Sequence, residues 1–349
     1  MTNSSTHFRR PHENAWRRGL EPVRSALWLI VPLALLCVIT SVLTSPRIGS
    51  LLTEALIYMI IVVGLSIFVG NTGIVSFGHV SFAMVGAYAS AWQTCCGPLR
   101  MVFLPGLPQW LVTAQVPWLL ALLLGATLAA LIALILGAPL MRLGGTAASI
   151  ALLSMLFVFK TAYENWDGWT AGQSAIVGLQ SYVTLWVAFA IVSAVILTAS
   201  IYRFSSFGLR AIAIREDEAA ARASGVNAWL QKLIAFVLSA FVVAVGGVLY
   251  GHYLGTITVS MFWLDMTFLT LAMLVVGGTR SVTGAVVGTL FVTVIRQSFL
   301  TLERGIPFFS NAELPQGSGE IVLGLVLLCV LIFRPQGLVG DRELGDKRE

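Results

Sequence analysis

Charged side chains are scarce in this sequence, and long stretches contain none at all. Asp, Glu, Lys and Arg make up 11% of its 349 residues, whereas soluble domains average about 25%. No charge occurs within residues 25–46, 55–99, 101–141, 168–202 and 233–264. Because a helix crosses a membrane with about 20 apolar residues, each stretch can supply one or two crossings. The composition excludes a soluble enzyme, a nucleic-acid-binding protein and a disordered scaffold, and it predicts an all-α polytopic membrane protein.

Motifs for catalysis and nucleotide binding are also missing from the sequence. It contains no G-x-x-x-x-G-K-[ST] segment, and its four histidines form neither an HExxH nor a Ser-His-Asp pattern. Its four cysteines have no metal-ligand spacing, and we expect the adjacent Cys95 and Cys96 to be free thiols, since a bridge between neighbours is strained. We therefore expect no catalytic residue, metal or cofactor. Any ATP-driven step would need another polypeptide.

Turn residues and charges divide the apolar chain into about ten predicted membrane spans. These lie near residues 25–44, 52–70, 74–92, 117–141, 145–160, 180–202, 229–251, 263–279, 283–300 and 319–334. The Gly/Ser-rich segment 74–92 also suits a re-entrant or broken helix. The predicted transmembrane domain covers residues 25–334. A basic tail, residues 1–24, precedes it, and a second tail, residues 335–349, follows it.

The distribution of Lys and Arg predicts the orientation of these spans, because basic residues accumulate in cytoplasmic loops. With the N-terminus inside, 16 basic residues fall on the cytoplasmic side and four fall outside, namely Arg47, Arg100, Lys160 and Arg304. Arg296 lies within a span. The asymmetry predicts ten spans with both the N- and C-termini in the cytoplasm.

Two carboxylates, Glu54 and Asp265, are predicted near the outer ends of their spans, where they can reach water. Contact with an ammonium-bearing substrate is the alternative interpretation. Small residues recur at helical spacing as well: Gly247, Gly251 and Gly255 form two G-x-x-x-G steps, and Gly284 and Gly288 form another. This spacing favours close helix packing in lipid.

The longest predicted inner loop, residues 203–228, has the composition of a short amphipathic helix. Ala, Glu, Arg and Ile dominate it, and we expect tight turns at Gly208 and Gly225. Asn227 is a good N-cap for a helix that begins at Ala228. The alternative is a solvated linker without helical order.

Four blocks of the sequence resemble the branched-chain amino acid ABC transporter permease family. Glu218-Ala219-Ala220 followed by Gly225 resembles the EAA…G loop of binding-protein-dependent ABC permeases. The blocks that narrow the resemblance begin at Gly70 (GNTGIVSFGHVSFAMVGAY), Gly208 (GLRAIAIREDEAA), Val275 (VVGGTRSVTGAVVG) and Phe333 (FRPQGL). The resemblance is to the longer of the two permease subunits of the high-affinity importer.

The resemblance implies an ABC importer permease fold and a set of partners. These are a second permease subunit, two cytoplasmic ABC ATPase subunits and a periplasmic substrate-binding protein, assembled in the lipid of the cell inner membrane. It also implies that the loop is a coupling helix that docks on the ATPase. Its expected coupling residues are Arg210, Arg215, Glu218, Ala219, Ala220 and Gly225.

Glycine-rich blocks suggest where the translocation pathway runs, since broken helices expose backbone groups to polar substrates. The expected pathway residues are Gly73, Ser76, Gly78, His79, Gly277 and Gly278. His79 can either orient substrate or hydrogen-bond freed backbone carbonyls.

The implied substrates are leucine, isoleucine and valine, and urea, short amides and other amino acids remain open. An ion-coupled secondary transporter would be expected to carry ionisable residues in mid-span, which are nearly absent here. A non-transporting membrane scaffold is a further alternative, but it would not require glycine-broken spans.

Overall fold

The computed structural model describes residues 15–43, 45–96, 100–113, 116–303, 318–334 and 336–340. Most of the two predicted tails falls outside these ranges. The helices are α1 (Ala15–Leu43), α2 (Pro46–Thr72), α3 (Val80–Thr94), α4 (Arg100–Phe103), α5 (Gln109–Thr113), α6 (Trp118–Leu140), α7 (Gly145–Glu164), α8 (Asp167–Thr170), α9 (Leu185–Phe204), α10 (Ser206–Glu216), α11 (Glu218–Ala223), α12 (Ala228–Leu254), α13 (Leu264–Gly277), α14 (Val282–Glu303) and α15 (Ser318–Phe333). Two short strands, β1 (Ile176–Val177) and β2 (Thr256–Ile257), pair antiparallel.

Eight helical segments in the described part of the chain are long and apolar enough to cross a membrane. They are Pro22–Leu43, Pro46–Thr72, Trp118–Leu140, Gly145–Glu164, Leu185–Phe204, Ala228–Leu254, Val259–Gly277 and Val282–Thr301. The prediction of an all-α polytopic membrane protein is confirmed. The two other predicted spans correspond to α3, with 15 residues, and α15, with 16. Both are shorter than the roughly 20 residues of a full crossing, so the number ten and the side of each terminus stay predictions.

The bundle has a central layer of α2, α3 and α12. Helix α12 packs against α2, α3 and α6, and 94% of the most apolar window of α2 is buried, against 22% for α1 and for α7. The outer helices carry exposed aliphatic side chains such as Leu35, Ile135 and Ile150. Because hydrocarbon solvates these side chains well, the outer helices form the lipid-facing surface.

Glycines bring the central helices into close backbone contact. A Cβ atom on Gly247 of α12 would lie 2.1 Å from the carbonyl oxygen of Ala83 in α3. A Cβ on Gly86 would lie 2.6 Å from the carbonyl oxygen of Ala244. The packing role predicted from the G-x-x-x-G spacing therefore holds for Gly247. It does not hold for Gly255, which ends α12 in a left-handed conformation with φ +69.

We name the two ends of the bundle by the segments that form them. The hairpin end contains β1, β2 and residues 95–96 and 100–113, and the loop end contains residues 141–145, 203–228 and 278–281. At the hairpin end, Cys95 and Cys96 form a disulfide, so the expectation of free thiols was wrong. The left-handed turn at Cys96, with φ +54, follows the end of α3 and brings the two side chains together.

We predict that Gly247→Ala weakens the central packing, because the added methyl group has no space beside Ala83. Overpacking of this kind costs about 1–3 kcal/mol. Gly49→Ala is the matched control, since nothing lies within 4 Å of the Cβ position at Gly49, and alanine favours helix over glycine by about 1 kcal/mol. Thermal unfolding in detergent should show a lower midpoint for the first variant only. Equal midpoints would contradict the proposed tight contact.

Candidate functional site

The loop between α9 and α12 folds into two short helices, α10 and α11. We expected a single helix with a turn at Gly208, and both details were wrong. The chain turns at Ser205, whose hydroxyl accepts a hydrogen bond from the Gly208 amide and caps α10. Gly208 lies inside α10, where a Cβ would meet the Tyr202 carbonyl oxygen at 2.2 Å. Asp217 then interrupts the helix, and its carboxylate caps α11 by accepting from the amides of Ala219 and Ala220.

Gly225 ends α11 in a left-handed turn, as the sequence predicts. Its φ is +82. Its amide donates to the Arg222 carbonyl, and the Val226 amide donates to the Ala221 carbonyl. This pair of hydrogen bonds is the Schellman motif, and Val226 packs against the small cluster of Ile214, Ala221 and Ala228. The predicted Asn227 cap is also confirmed, because its side chain accepts from the Leu230 amide at the start of α12.

Glu218 fixes α11 to the first turn of α12. One carboxylate oxygen lies 2.8 Å from Lys232 Nζ, and the other lies 2.6 Å from Arg222. The Lys232 side chain is only 5% exposed, so Glu218 neutralises a charge that is removed from water. The hydrogen bond from Lys232 is the largest cause that lowers the pKa of Glu218, and Arg222 lowers it further. Glu218 is therefore a structural anion at the base of the loop.

Arg215 joins α10 to the end of α2. Its guanidinium donates a hydrogen bond to the carbonyl oxygen of Gly70 and forms a 2.7 Å ion pair with Glu216. Its side chain also crosses Gly73, where a Cβ would lie 2.7 Å from Arg215 Cγ. Gly73 has φ +73 and is the left-handed C-cap of α2. Glycine at 73 thus allows both the turn and the passage of Arg215.

A cleft of about 520 Å³ opens beside this contact at the loop end. Its walls include Gly73, Arg215, Glu218 and Lys232, together with the turn at Thr279 and Arg280. The same turn contacts α2, since a Cβ on Gly70 would lie 2.6 Å from the Thr279 carbonyl oxygen. The cleft brings three sequence blocks together, around residues 70–73, 214–218 and 279–280.

The segment between α2 and α3 is non-helical from Gly73 to His79 and contains the expected pathway residues Ser76 and His79. His79 Nδ1 forms a hydrogen bond with the Ser76 hydroxyl. Its ring is 2% exposed and lies among Phe68, Phe82 and Phe236, with centroid distances of 5.1, 5.9 and 5.2 Å. The described residues offer no hydrogen-bond partner to His79 Nε2. The structure thus pairs His79 with a side-chain hydroxyl.

The remaining predicted pathway glycines lie at helix contacts. A Cβ on Gly78 would meet the Leu152 carbonyl oxygen of α7 at 2.3 Å. A Cβ on Gly277 would meet the Gly284 carbonyl oxygen of α14 at 1.8 Å. Gly278, with φ +124, ends α13 beside residues 336–340, where the Leu338 amide donates to the Val276 carbonyl. These glycines bring the first, third and last blocks of the resemblance to their neighbours, but they do not surround His79.

The other predicted coupling residues share an exposed surface at the loop end. Arg210, Ala219, Ala220 and Gly225 are all exposed, and Phe207 and Leu209 of α10 are 44% and 51% exposed beside them. Sequence reasoning did not identify Gly70, Lys232 or Thr279 as members of this site. Lys232 did carry a signal, since it is the one charge that precedes the long uncharged run of α12.

We predict that Glu218→Gln loosens α11, because it leaves Lys232 buried without its anion. The loss should be about 1–2 kcal/mol of local stability, since Glu218 itself is partly exposed. Hydrogen exchange of the amides of residues 218–226 should become faster. Glu216→Gln is the control, since Glu216 is 58% exposed. Amide exchange in this variant should be as slow as in the unaltered chain.

The same stabilisation should depend on pH. Because the folded-state pKa of Glu218 is lowered from 4.5, its contribution is fully present above about pH 4.5 and is lost as the pH falls through the lowered value. Equal exchange in both variants at neutral pH would contradict the structural role of Glu218.

Comparison with known proteins gives a consistent assignment. The profile of the family described as branched-chain amino acid transport system / permease component matches residues 47–331. The chain is 24% identical to the high-affinity branched-chain amino acid transport system permease protein LivH of Salmonella typhimurium over 82% of this chain and 92% of that protein. It is also 24% identical to the corresponding LivM of Escherichia coli over 91% of this chain and 75% of that protein. No solved structure matches.

The profile covers most of the chain, including the break after α2, the α10–α11 pair and the α13–α14 turn. The structure independently gives the multi-pass helical architecture of a membrane permease. This chain belongs to the branched-chain amino acid transport system permease family.

Proposed function

We propose that the chain is one permease subunit of a binding-protein-dependent ABC importer that carries leucine, isoleucine and valine across the inner membrane. The observation that carries the proposal is the exposed α10–α11 pair, which is attached to the bundle through Arg215 and Glu218. Such a surface suits a cytoplasmic ATPase that must move the bundle. The names of the relatives LivH and LivM support the substrate class.

The proposed coupling runs through Arg215. When the ATPase subunits close on ATP, they displace α10 and α11 as a unit, because Asp217 and Glu218 hold the two helices to each other and to α12. Arg215 passes this displacement to the Gly70 carbonyl at the end of α2. The adjoining non-helical segment, with Gly73, Ser76, Gly78 and His79, can then change its conformation. Movement of packed helices about such a joint is one form of alternating access.

The proposed assembly contains a second permease subunit, two cytoplasmic ABC ATPase subunits and a periplasmic substrate-binding protein. The loop end is then cytoplasmic, as the Lys and Arg distribution predicts. Similarity to LivM over 91% of this chain supports its assignment to the longer kind of permease subunit. The pathway lies near the 73–79 segment and the Gly277–Gly278 turn. ATP is hydrolysed by the partners, since the sequence has no P-loop.

Purification and transport together test the proposal. Affinity purification of the tagged chain from mild detergent should recover a P-loop ATPase and a second permease along with it. Reconstituted with the substrate-binding protein, this assembly should take up labelled leucine only when ATP is supplied on the loop-end side. Uptake by the chain alone, driven by an ion gradient, would identify a secondary transporter. ATP-dependent uptake of urea or a short amide in place of leucine would correct the substrate.

We predict that Gly225→Val abolishes ATP-driven uptake while the chain stays in the membrane. Valine at a positive φ is strained by about 1–3 kcal/mol, which distorts the end of α11, although nothing lies within 4 Å of the Cβ position at Gly225. Gly225→Asn is the control, because asparagine adopts the left-handed conformation readily. Uptake should be lost in the first variant and remain near normal in the second. Normal uptake by Gly225→Val would remove α11 from the coupling path.

A further inference from the structure

An ion pair lies within the spans toward the hairpin end of the bundle. Glu54 of α2 and Arg296 of α14 approach to 3.7 Å between Oε1 and Nη1. At 1.5 Å per residue, each side chain lies roughly 10–12 Å from the hairpin-end terminus of its helix. Charged residues within membrane spans are rare, and substrate and ion pathways are among the places where they occur.

Neither charge is sealed within this chain. The Arg296 side chain is 41% exposed and that of Glu54 is 30% exposed. Lipid contact would leave both charges poorly solvated, so charged residues in spans face the bundle interior or a water-filled cavity. The surface that α2 and α14 form around this ion pair therefore has the properties of an aqueous pathway wall.

Aromatic side chains line the same region. Tyr58 lies one helical turn from Glu54 on the same face of α2, and its hydroxyl donates to that of Tyr250 at 3.3 Å. The Tyr250 ring lies 6.1 Å from that of Phe262. Both Glu54 and Arg296 interact electrostatically with the Tyr58 hydroxyl. An ion pair thus stands beside a wall of aromatic rings, in which Tyr58 and Phe262 are buried and Tyr250 is partly exposed.

A buried hydroxyl without a partner adds to this site. Thr293 lies one turn before Arg296 on α14, and the described residues provide no hydrogen bond for its Oγ1. A buried polar atom without a partner costs about 1–3 kcal/mol. A polar ligand that reaches this face of α14 could remove that cost.

We infer that Glu54 and Arg296 bind the α-ammonium and the α-carboxylate of the transported amino acid. The inference rests on the proposed function and adds the residues that recognise the substrate. A zwitterion replaces one Glu–Arg pair with two ion pairs, Glu54 to the ammonium and Arg296 to the carboxylate. No charge is left unpaired in the process, which is the requirement for opening an ion pair in a medium of low dielectric constant. The branched side chain then lies against Tyr250, the partly exposed ring of this aromatic wall.

This arrangement distinguishes amino acids from neutral amides. Urea and short amides carry no formal charge, so they gain no ion pair in exchange for separating Glu54 from Arg296. The site selects for the zwitterion and leaves the choice among aliphatic side chains to the aromatic wall.

Neutralising variants test the inference in the assembled importer with saturating substrate-binding protein. Glu54→Gln and Arg296→Gln should each lower the rate of leucine uptake at least tenfold, since each removes one ion pair to the substrate. The double variant decides the interpretation. If the pair only joins α2 to α14, removing both charges leaves neither unpaired and restores uptake. If the pair binds the zwitterion, the double variant stays at least as defective as either single variant.

The chain provides a matched control in Lys160 and Glu164 of α7, an ion pair with exposures of 27% and 24%. Replacing both with Gln should leave uptake unchanged. Each variant is also checked for co-purification of its partners. If the unaltered assembly and the double Glu54→Gln, Arg296→Gln variant both take up leucine, only the inference is overturned. Failure of the unaltered assembly to take up branched-chain amino acids overturns the proposed function, and the inference with it.

Thiol labelling provides a second test that leaves the ion pair intact. In a chain with its four natural cysteines replaced by Ser, Leu300→Cys places a thiol one turn from Arg296 on the same face of α14. A membrane-impermeant cationic thiosulfonate should modify it, and leucine with its binding protein should slow the reaction. Val294→Cys is the control, since Val294 lies on the opposite face and is 65% exposed; it should not react. An unreactive Leu300→Cys, or one that leucine does not protect, overturns the inference.

Discussion

The last carbonyl groups of α2 have no partners within the helix, and the way in which they are satisfied determines the arrangement of the loop end. A helix leaves its final four carbonyls unbonded, and the interior of a membrane protein offers few alternatives. Gly73 supplies one amide by folding back to the Val69 carbonyl. Arg215 supplies the donor for Gly70. The contact that joins α10 to the bundle is therefore also the contact that satisfies the break in α2.

The same arrangement requires residues without a Cβ atom at several positions. Arg215 can reach Gly70 only because residue 73 has no Cβ, and the Thr279 turn can approach α2 only because residue 70 has none. On the other side of the break, Gly78 allows the backbone of α7 to approach. The glycines of the first block thus serve three different neighbours. Their clustering reflects the crowding of the chain around one non-helical segment between two central helices.

The sequence predicts local features of this site better than long-range ones. The Gly225 turn and the Asn227 cap depend on residues within one helical turn, and both were predicted. Gly208 was misassigned because its requirement for a small residue comes from the Tyr202 carbonyl, after a turn made at Ser205. The Glu218–Lys232 pair spans 14 positions and two helices, and the Arg215–Gly70 contact spans 145. Neither contact produces a periodic pattern that could be detected in the sequence. The sequence also left the length of α3 undetermined, because composition alone does not show where a glycine-rich helix begins.

Helix α2 connects the two ends of the molecule on which the functional proposals depend. Glu54 and Gly70 are 16 residues apart on one continuous helix, which corresponds to about 24 Å. The most apolar window of α2 is 94% buried, so α2 packs closely against its neighbours, and we expect it to move as a rigid element. A displacement of Arg215 at the loop end must then be carried to Glu54 at the hairpin end. Since Glu54 is paired with Arg296 on a different helix, a shift of α2 relative to α14 changes the distance between the two charges. In the mechanism we propose, coupling to an ATPase and release of a zwitterion use the same motion, and the ion pair re-forms when the substrate leaves.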